Sequence, residues 1–185
     1  VHVMGAFHTT KAVWDLMKAQ KYGRLVFTTS SSGLFGNFGQ ANYGAAKMAL
    51  VGLMQTLSIE GAKHDIRVNC LAPTAATQMT EGLLPPEMLS LLTPESVVPA
   101  LLVLTHDNAP TRVILNAGAG TFAATHISLT PGVHLGTGAD VDEQLAAVLP
   151  QVLDTRHATV PQSGAEQGMN EVRQALAARG ADSPR

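Results

Sequence analysis

The order of apolar patterns along the chain predicts an α/β fold built from parallel strand–helix–strand units. Three short runs rich in aliphatic and β-branched residues read as buried strands: 23–29 (GRLVFTT), 66–73 (IRVNCLAP) and 112–116 (RVILN). Longer stretches with apolar residues at helical spacing precede and separate them, and that alternation belongs to βαβ units around a parallel sheet. The 185 residues are 45% apolar and 14% charged, which describes a globular chain with material for one core.

Composition excludes several function classes. The formal net charge is −2 and no basic stripe stands out, so neither nucleic acid nor an anionic membrane surface is an expected partner. Polar residues interrupt every long apolar run, so no membrane span is expected. The single cysteine, Cys70, lies in the 66–73 strand, cannot form an internal disulfide and reads as a small buried hydrophobe. Seven histidines are scattered without an HExxH or Cys/His cluster, and no metal site is expected.

Taken in order, residues 1–20 read as a helix, with Met4, Phe7, Val13, Leu16 and Met17 near a helical period and Lys18 and Lys21 at its C-terminal end. The 23–29 strand leads into a turn rich in glycine (Gly33, Gly36, Gly39). A second helix, 42–63, carries Met48, Leu50, Leu53, Met54 and Leu57 on broad apolar faces. The 66–73 strand follows, then a loop at 73–80, an apolar stretch at 81–92, a helix at 94–104 and the strand at 112–116. Gly118, Gly120 and Ala123 match GxGxxA, with Asp140 downstream, but a dinucleotide fingerprint must open a helix. Here FAATHISLT and Pro131-Gly132 read as strand and turn, so that reading is rejected. Residues 140–149 and 165–179 read as helices, the second closed by Gly180, with a linker at 159–164.

The segment 30–47, SSSGLFGNFGQANYGAAK, concentrates the chemistry. Tyr43 and Lys47 stand one helical turn apart and share a face. A neighbouring cation favours the phenolate of a tyrosine, which makes Tyr43 an acid/base for a substrate C–OH or C=O. Ser30, thirteen residues before Tyr43, is placed to fold back and hold the same oxygen.

The serine at that spacing, GQANY at the helix entrance, the small residues Gly44, Ala45 and Ala46, and VNCLAP downstream together resemble the active-site segment of the short-chain dehydrogenase/reductase family. Within it the likeness runs particularly to the (3R)-hydroxyacyl-CoA dehydrogenase domains of peroxisomal multifunctional enzymes and their bacterial relatives. It is carried by KYGR at 21–24, SSSGLFGNFGQANY at 30–43, SIEG at 58–61, NCLAPTAATQMT at 69–80 and GAGTFA at 118–123.

The resemblance implies the C-terminal half of a doubly wound, Rossmann-type parallel sheet in residues 1–132, followed by a mainly helical extension at 133–185. It implies hydride transfer with NAD or NADP as cofactor and a small acyl substrate of the 3-hydroxyacyl or 3-oxoacyl-CoA type. Tyr43 exchanges the hydroxyl proton, Lys47 bonds the nicotinamide ribose and Ser30 bonds the substrate oxygen, with Ser31 and Ser32 as alternatives. Pro73, Thr74, Ala76, Thr77 and Met79 form the loop over the nicotinamide, with Thr74 where the family usually has glycine. His2 stands where the family often has an asparagine, and the water-holding relay role goes with that position. Residues 81–92 form an apolar substrate lid. The first helix and the 42–63 helix pack against a second subunit, so a homodimer or other homo-oligomer is implied.

Such enzymes hold the dinucleotide in an N-terminal half that has no counterpart in these residues, which implies a part of a larger domain, inactive alone. Other short-chain dehydrogenases, acting on acyl-carrier-protein or steroid substrates, and a non-catalytic interaction module are the alternatives. A cytoplasmic location is expected, with a peroxisomal one left open.

Overall fold

The computed structural model describes residues 1–77 and 85–181. The expected loop residue Met79 and the lid residues Leu83 and Leu84 lie outside the described residues. The chain divides into two compact units, Val1–Thr125 and His126–Arg185.

The first unit runs α1 (His2–Gln20), β1 (Gly23–Thr28), α2 (Ser31–Phe35), α3 (Ala41–Gly61), β2 (Ile66–Pro73), α4 (Pro86–Leu91), α5 (Val98–Thr105), β3 (Ile114–Gly118) and β4 (Thr121–Thr125). The sheet order is β1-β2-β3-β4. The first three strands are parallel, with Gly23 opposite Ile66 and Cys70 opposite Ile114. This is the α/β, parallel-dominated sheet that the alternation predicts.

The sheet is covered on both faces. On one, Leu50, Val51 and Met54 of α3 pack on Phe27, Val68, Cys70 and Ile114, with Trp14 and Met17 of α1 beside them. On the other, Ala100 and Leu104 of α5 pack on Leu71 and Ala117. Double coverage explains why β2 reads as a nearly continuous apolar run rather than an alternating one. Its polar member, Asn69, is fully buried and satisfied. Its Nδ2 donates to the Pro110 carbonyl (2.8 Å) and its Oδ1 accepts from the Val113 amide (3.0 Å), pinning the turn before β3.

Several local expectations shift. The glycine-rich turn after β1 contains a short helix, α2, because the Ser30 hydroxyl caps it by accepting from the Ser32 amide (3.2 Å). The helix expected over 42–63 ends at Gly61 and passes through a 3₁₀ turn, Ala62–His64, to Asp65 in the left-handed region (φ 50°). The strand expected from Arg112 begins at Ile114, since Arg112 has φ 65° and belongs to the turn. The helix expected over 94–104 is a 3₁₀ turn, Pro94–Val97, followed by α5.

Residues after Gly118 form no helix, in keeping with the rejected fingerprint. Ala119 and Gly120 both have positive φ (48° and 72°), the requirement of a two-residue hairpin turn, and the chain reverses into β4 antiparallel to β3. So short a connection cannot return a strand in parallel.

KYGR has a structural role at the amino ends of the strands. The Arg24 guanidinium lies 4.3 Å from the Tyr22 ring centroid. Its five N–H donors reach the carbonyls of Gly23, Asp65, His106 and Asp107 and the Asp65 carboxylate. The Arg24 and Arg67 guanidiniums hold the Asp65 carboxyl below its usual range.

In the second unit, α6 (Val141–Val152) and α7 (Ala165–Ala181) are the main helices. Leu129 and Thr159 exchange a pair of backbone hydrogen bonds, so Thr159 of the expected linker is bridged to the segment before Pro131. Asn170 and Gln174 of α7 both donate to the Pro131 carbonyl. No helix among the described residues is long and apolar enough to cross a membrane.

Candidate active site

Because β1, β2 and β3 are parallel, their carboxyl ends share one edge of the sheet. Ser30 follows β1 there, Pro73 closes β2, and Gly118 closes β3. In open α/β sheets this edge is where ligands bind.

Lys47 is gripped at both ends by the end of β1. Its ammonium donates to the Thr28 carbonyl (2.8 Å), and its own carbonyl accepts from the Thr29 hydroxyl (2.8 Å). The residue is 7% exposed, and Thr29 is 1% exposed. These contacts set α3 in register against β1. Thr29 is a site-building residue that motif reading missed, and no local pattern would have found it, because its partner is eighteen positions away.

The Tyr43 ring stands over this lysine, with Nζ 5.6 Å from the ring centroid, so the expected shared face is present. The His2 imidazole also meets the Tyr43 ring edge-on, at 5.5 Å between centroids and 83° between planes. His2 and Lys47 also line one cavity of about 340 Å³ that runs along Leu25–Thr28 of β1.

Ser30 lies at the start of α2, and α2 lies tightly on α3. A Cβ on Gly33 would stand 2.8 Å from Lys47 Cβ, and one on Gly44 would stand 2.9 Å from the Ser32 carbonyl. Two glycines on facing helices therefore bring the serine turn down onto the tyrosine–lysine helix. Among the serines, Ser30 is the one fixed as helix cap, while Ser31 is exposed. Accepting from Ser32 leaves the Ser30 O–H available as a donor.

The loop after β2 is tied down. The Thr74 amide donates to the Ala117 carbonyl (2.8 Å) and the Ala76 amide to the Leu92 carbonyl (2.6 Å). Thr74, where the resemblance leads one to expect glycine, is accommodated across the sheet. Gly118 has no side chain where a Cβ would meet Thr74 O at 2.8 Å and Thr74 Cβ at 2.9 Å. Pro73 ends β2 and Thr77 ends this described stretch. From the expected lid, Met88 and Leu91 on α4 are 51% and 64% exposed.

Cys70 lies away from this edge, under α3, with its sulfur 3.8 Å from the Leu50 carbonyl. Burial pushes its thiol up to about 12.

Comparison with known proteins finds that residues 1–87, which hold the end of β1 and the Tyr43–Lys47 helix, match the model of the short chain dehydrogenase family. That stretch, just under half of the chain, is similar to this family. The chain is similar to a short-chain type dehydrogenase/reductase of Mycobacterium tuberculosis, with 53% identity over 65% of this chain and 42% of the relative. It is also similar to the peroxisomal hydratase-dehydrogenase-epimerase of Saccharomyces cerevisiae, with 51% identity over 66% of this chain and 14% of the relative. The solved structure of full-length peroxisomal multifunctional enzyme type 2 from Drosophila melanogaster superposes with a TM-score of 0.82 and 34% identity, covering 94% of this chain and 32% of that one. The chain thus spans less than half of each of these relatives.

Proposed function

We propose that this chain carries the catalytic and substrate half of an NAD- or NADP-dependent dehydrogenase that interconverts 3-hydroxyacyl and 3-oxoacyl-CoA thioesters. The observation that carries the reading is the Lys47 ammonium held at the carboxyl end of β1 beside the Tyr43 ring. An ammonium has three donors. Thr28 accepts one, and the other two have no acceptor among the described residues. Two spare donors opening on a cavity fit the diol of a nicotinamide ribose. The described residues fit that end of the dinucleotide only, since the single glycine fingerprint is a hairpin.

The nicotinamide, when bound, supplies the hydride acceptor for the alcohol or the hydride donor for the ketone. Tyr43 takes the hydroxyl proton as the alcohol is oxidised and returns it on reduction. Lys47 orients the ribose. The Ser30 O–H donates to the substrate oxygen. Pro73, Thr74, Ala76 and Thr77 shape the loop above the ring. Exposed Met88 and Leu91 suit an acyl chain. Oligomerisation through α1 and α3 belongs to the same proposal, motivated by exposed Met4, Phe7, Leu16 and Ile59. A peroxisomal site of action follows only if the protein shares that of its named peroxisomal relatives.

The test joins these residues to an upstream strand–glycine turn–helix half and compares kcat/KM for (3R)-hydroxyacyl-CoA thioesters and small polyols, with NAD and with NADP. A clear thioester preference is expected, and Tyr43→Phe should remove nearly all turnover while leaving the fold intact. A preference for polyols, or substantial turnover by Tyr43→Phe with chemistry rate-limiting, would overturn the proposal.

A further inference from the structure

We infer that His2 is a positioning residue for Tyr43, acting by ring-on-ring packing rather than as a hydrogen-bonding relay. The inference rests on the proposed role of Tyr43. Tyr43 occupies the third position of α3, and its ring is half-buried. A phenol in the first turn of a helix keeps freedom about its side-chain torsions unless something beyond its own helix stops it. Lys47, one turn on along the same helix, sits at 5.6 Å from the ring centroid but is itself pulled towards the Thr28 carbonyl. The stop from another element is His2, in the first turn of α1, with its imidazole edge-on to the phenol ring at 5.5 Å and 83°. That is the geometry in which a positive ring edge meets a negative ring face. Catalytic groups must be held within roughly 0.5 Å and 10–20° of their productive geometry. A neighbour that fixes the ring plane therefore acts on turnover rather than on binding.

Substitution at His2 separates packing from relay. No hydrogen bond joins His2 to Lys47 or to the Tyr43 hydroxyl among the described residues, while the ring contact is present. An aromatic ring without hydrogen-bonding atoms should then serve in place of His2, and a hydrogen-bonding side chain without a ring should not. His2 is exposed at a helix start, so replacing it leaves the core untouched.

The experiment has two arms. The first uses the 185-residue chain itself. It contains two tyrosines, so labelled tyrosine rings give two sets of signals that Tyr43→Phe assigns. His2→Ala should move the Tyr43 ring signals, His2→Phe should leave them displaced by a ring current, and those of Tyr22 should not move. The second arm measures His2→Ala, His2→Phe and His2→Asn in the polypeptide completed by an upstream cofactor half. His2→Ala is expected to lower kcat by about tenfold with KM nearly unchanged. His2→Phe should recover it to within about threefold, and His2→Asn should not. Recovery by Asn and not by Phe, unchanged kcat in all three variants, or an unmoved Tyr43 signal would each overturn the inference. Turnover that survives Tyr43→Phe while the ring signals still respond to His2 would instead overturn the catalytic reading of Tyr43.

Discussion

Gly33→Ala tests whether close helix packing sets the catalytic geometry. A Cβ there would stand 2.8 Å from Lys47 Cβ, 3.0 Å from the Met48 amide nitrogen and 3.1 Å from the Lys47 carbonyl carbon. Carbon atoms rest at about 3.5–4.0 Å, so α2 would have to retreat by about 1 Å. Two stability terms oppose each other. Overpacking costs about 1–3 kcal/mol, and alanine in place of glycine returns up to about 1 kcal/mol in a helix, leaving a net loss of about 0–3 kcal/mol. The effect on chemistry should be larger. Ser30 caps α2 and moves with it, and a displacement of about 1 Å can cost on the order of 100-fold in rate. Urea unfolding would be measured beside single-turnover rates in the polypeptide completed upstream. A rate loss of about 10- to 100-fold with modest destabilisation is expected. Gly52→Ala is the control. Its Cβ would meet nothing within 4 Å, so it should stabilise α3 by up to about 1 kcal/mol without slowing the reaction. Wild-type turnover in Gly33→Ala would refute the claim that this contact sets the position of Ser30.

Three further outcomes are expected. Asn69→Ala removes two part-buried hydrogen bonds, one to the Pro110 carbonyl and one from the Val113 amide, at about 0.5–1.5 kcal/mol each, so denaturant unfolding should show a loss of about 1–3 kcal/mol, and less than about 0.5 kcal/mol would contradict the pinning role. Cys70 should resist thiol reagents at pH 8 until the chain unfolds. Its folded thiol is raised from 9.0 to about 12, so its contribution to stability is present below pH 9 and is lost as pH rises towards 12, where only the unfolded thiol ionises; rapid labelling of the native chain would sink this. Titrated by calorimetry, residues 1–185 alone should bind NADH and NADPH very weakly and show no useful turnover. With β1 at one edge of the sheet and unpaired there among the described residues, they should also associate; micromolar cofactor affinity would mean the cofactor site is misplaced.

What the sequence determined by itself was whatever depends on near neighbours in the chain. The run at 66–73 was legible as a strand with the bounds β2 has, because burial on both faces leaves an unbroken apolar signature. Tyr43 and Lys47 were legible as a pair because helical spacing alone places them together. The rejection of Gly118–Ala123 as a nucleotide loop rested on the strand-like residues that follow. The tertiary structure decided what depends on distant segments meeting. The ammonium of Lys47 on the Thr28 carbonyl, the Thr29 hydroxyl on Lys47 and the His2 ring against Tyr43 each join residues far apart in sequence. The cap that turns the serine loop into α2, the antiparallel return of β4 and the five bonds of Arg24 were likewise out of reach of periodicity. Such contacts form where the chain happens to return in space, and a hydroxyl or guanidinium in the sequence carries no mark of the partner that will satisfy it.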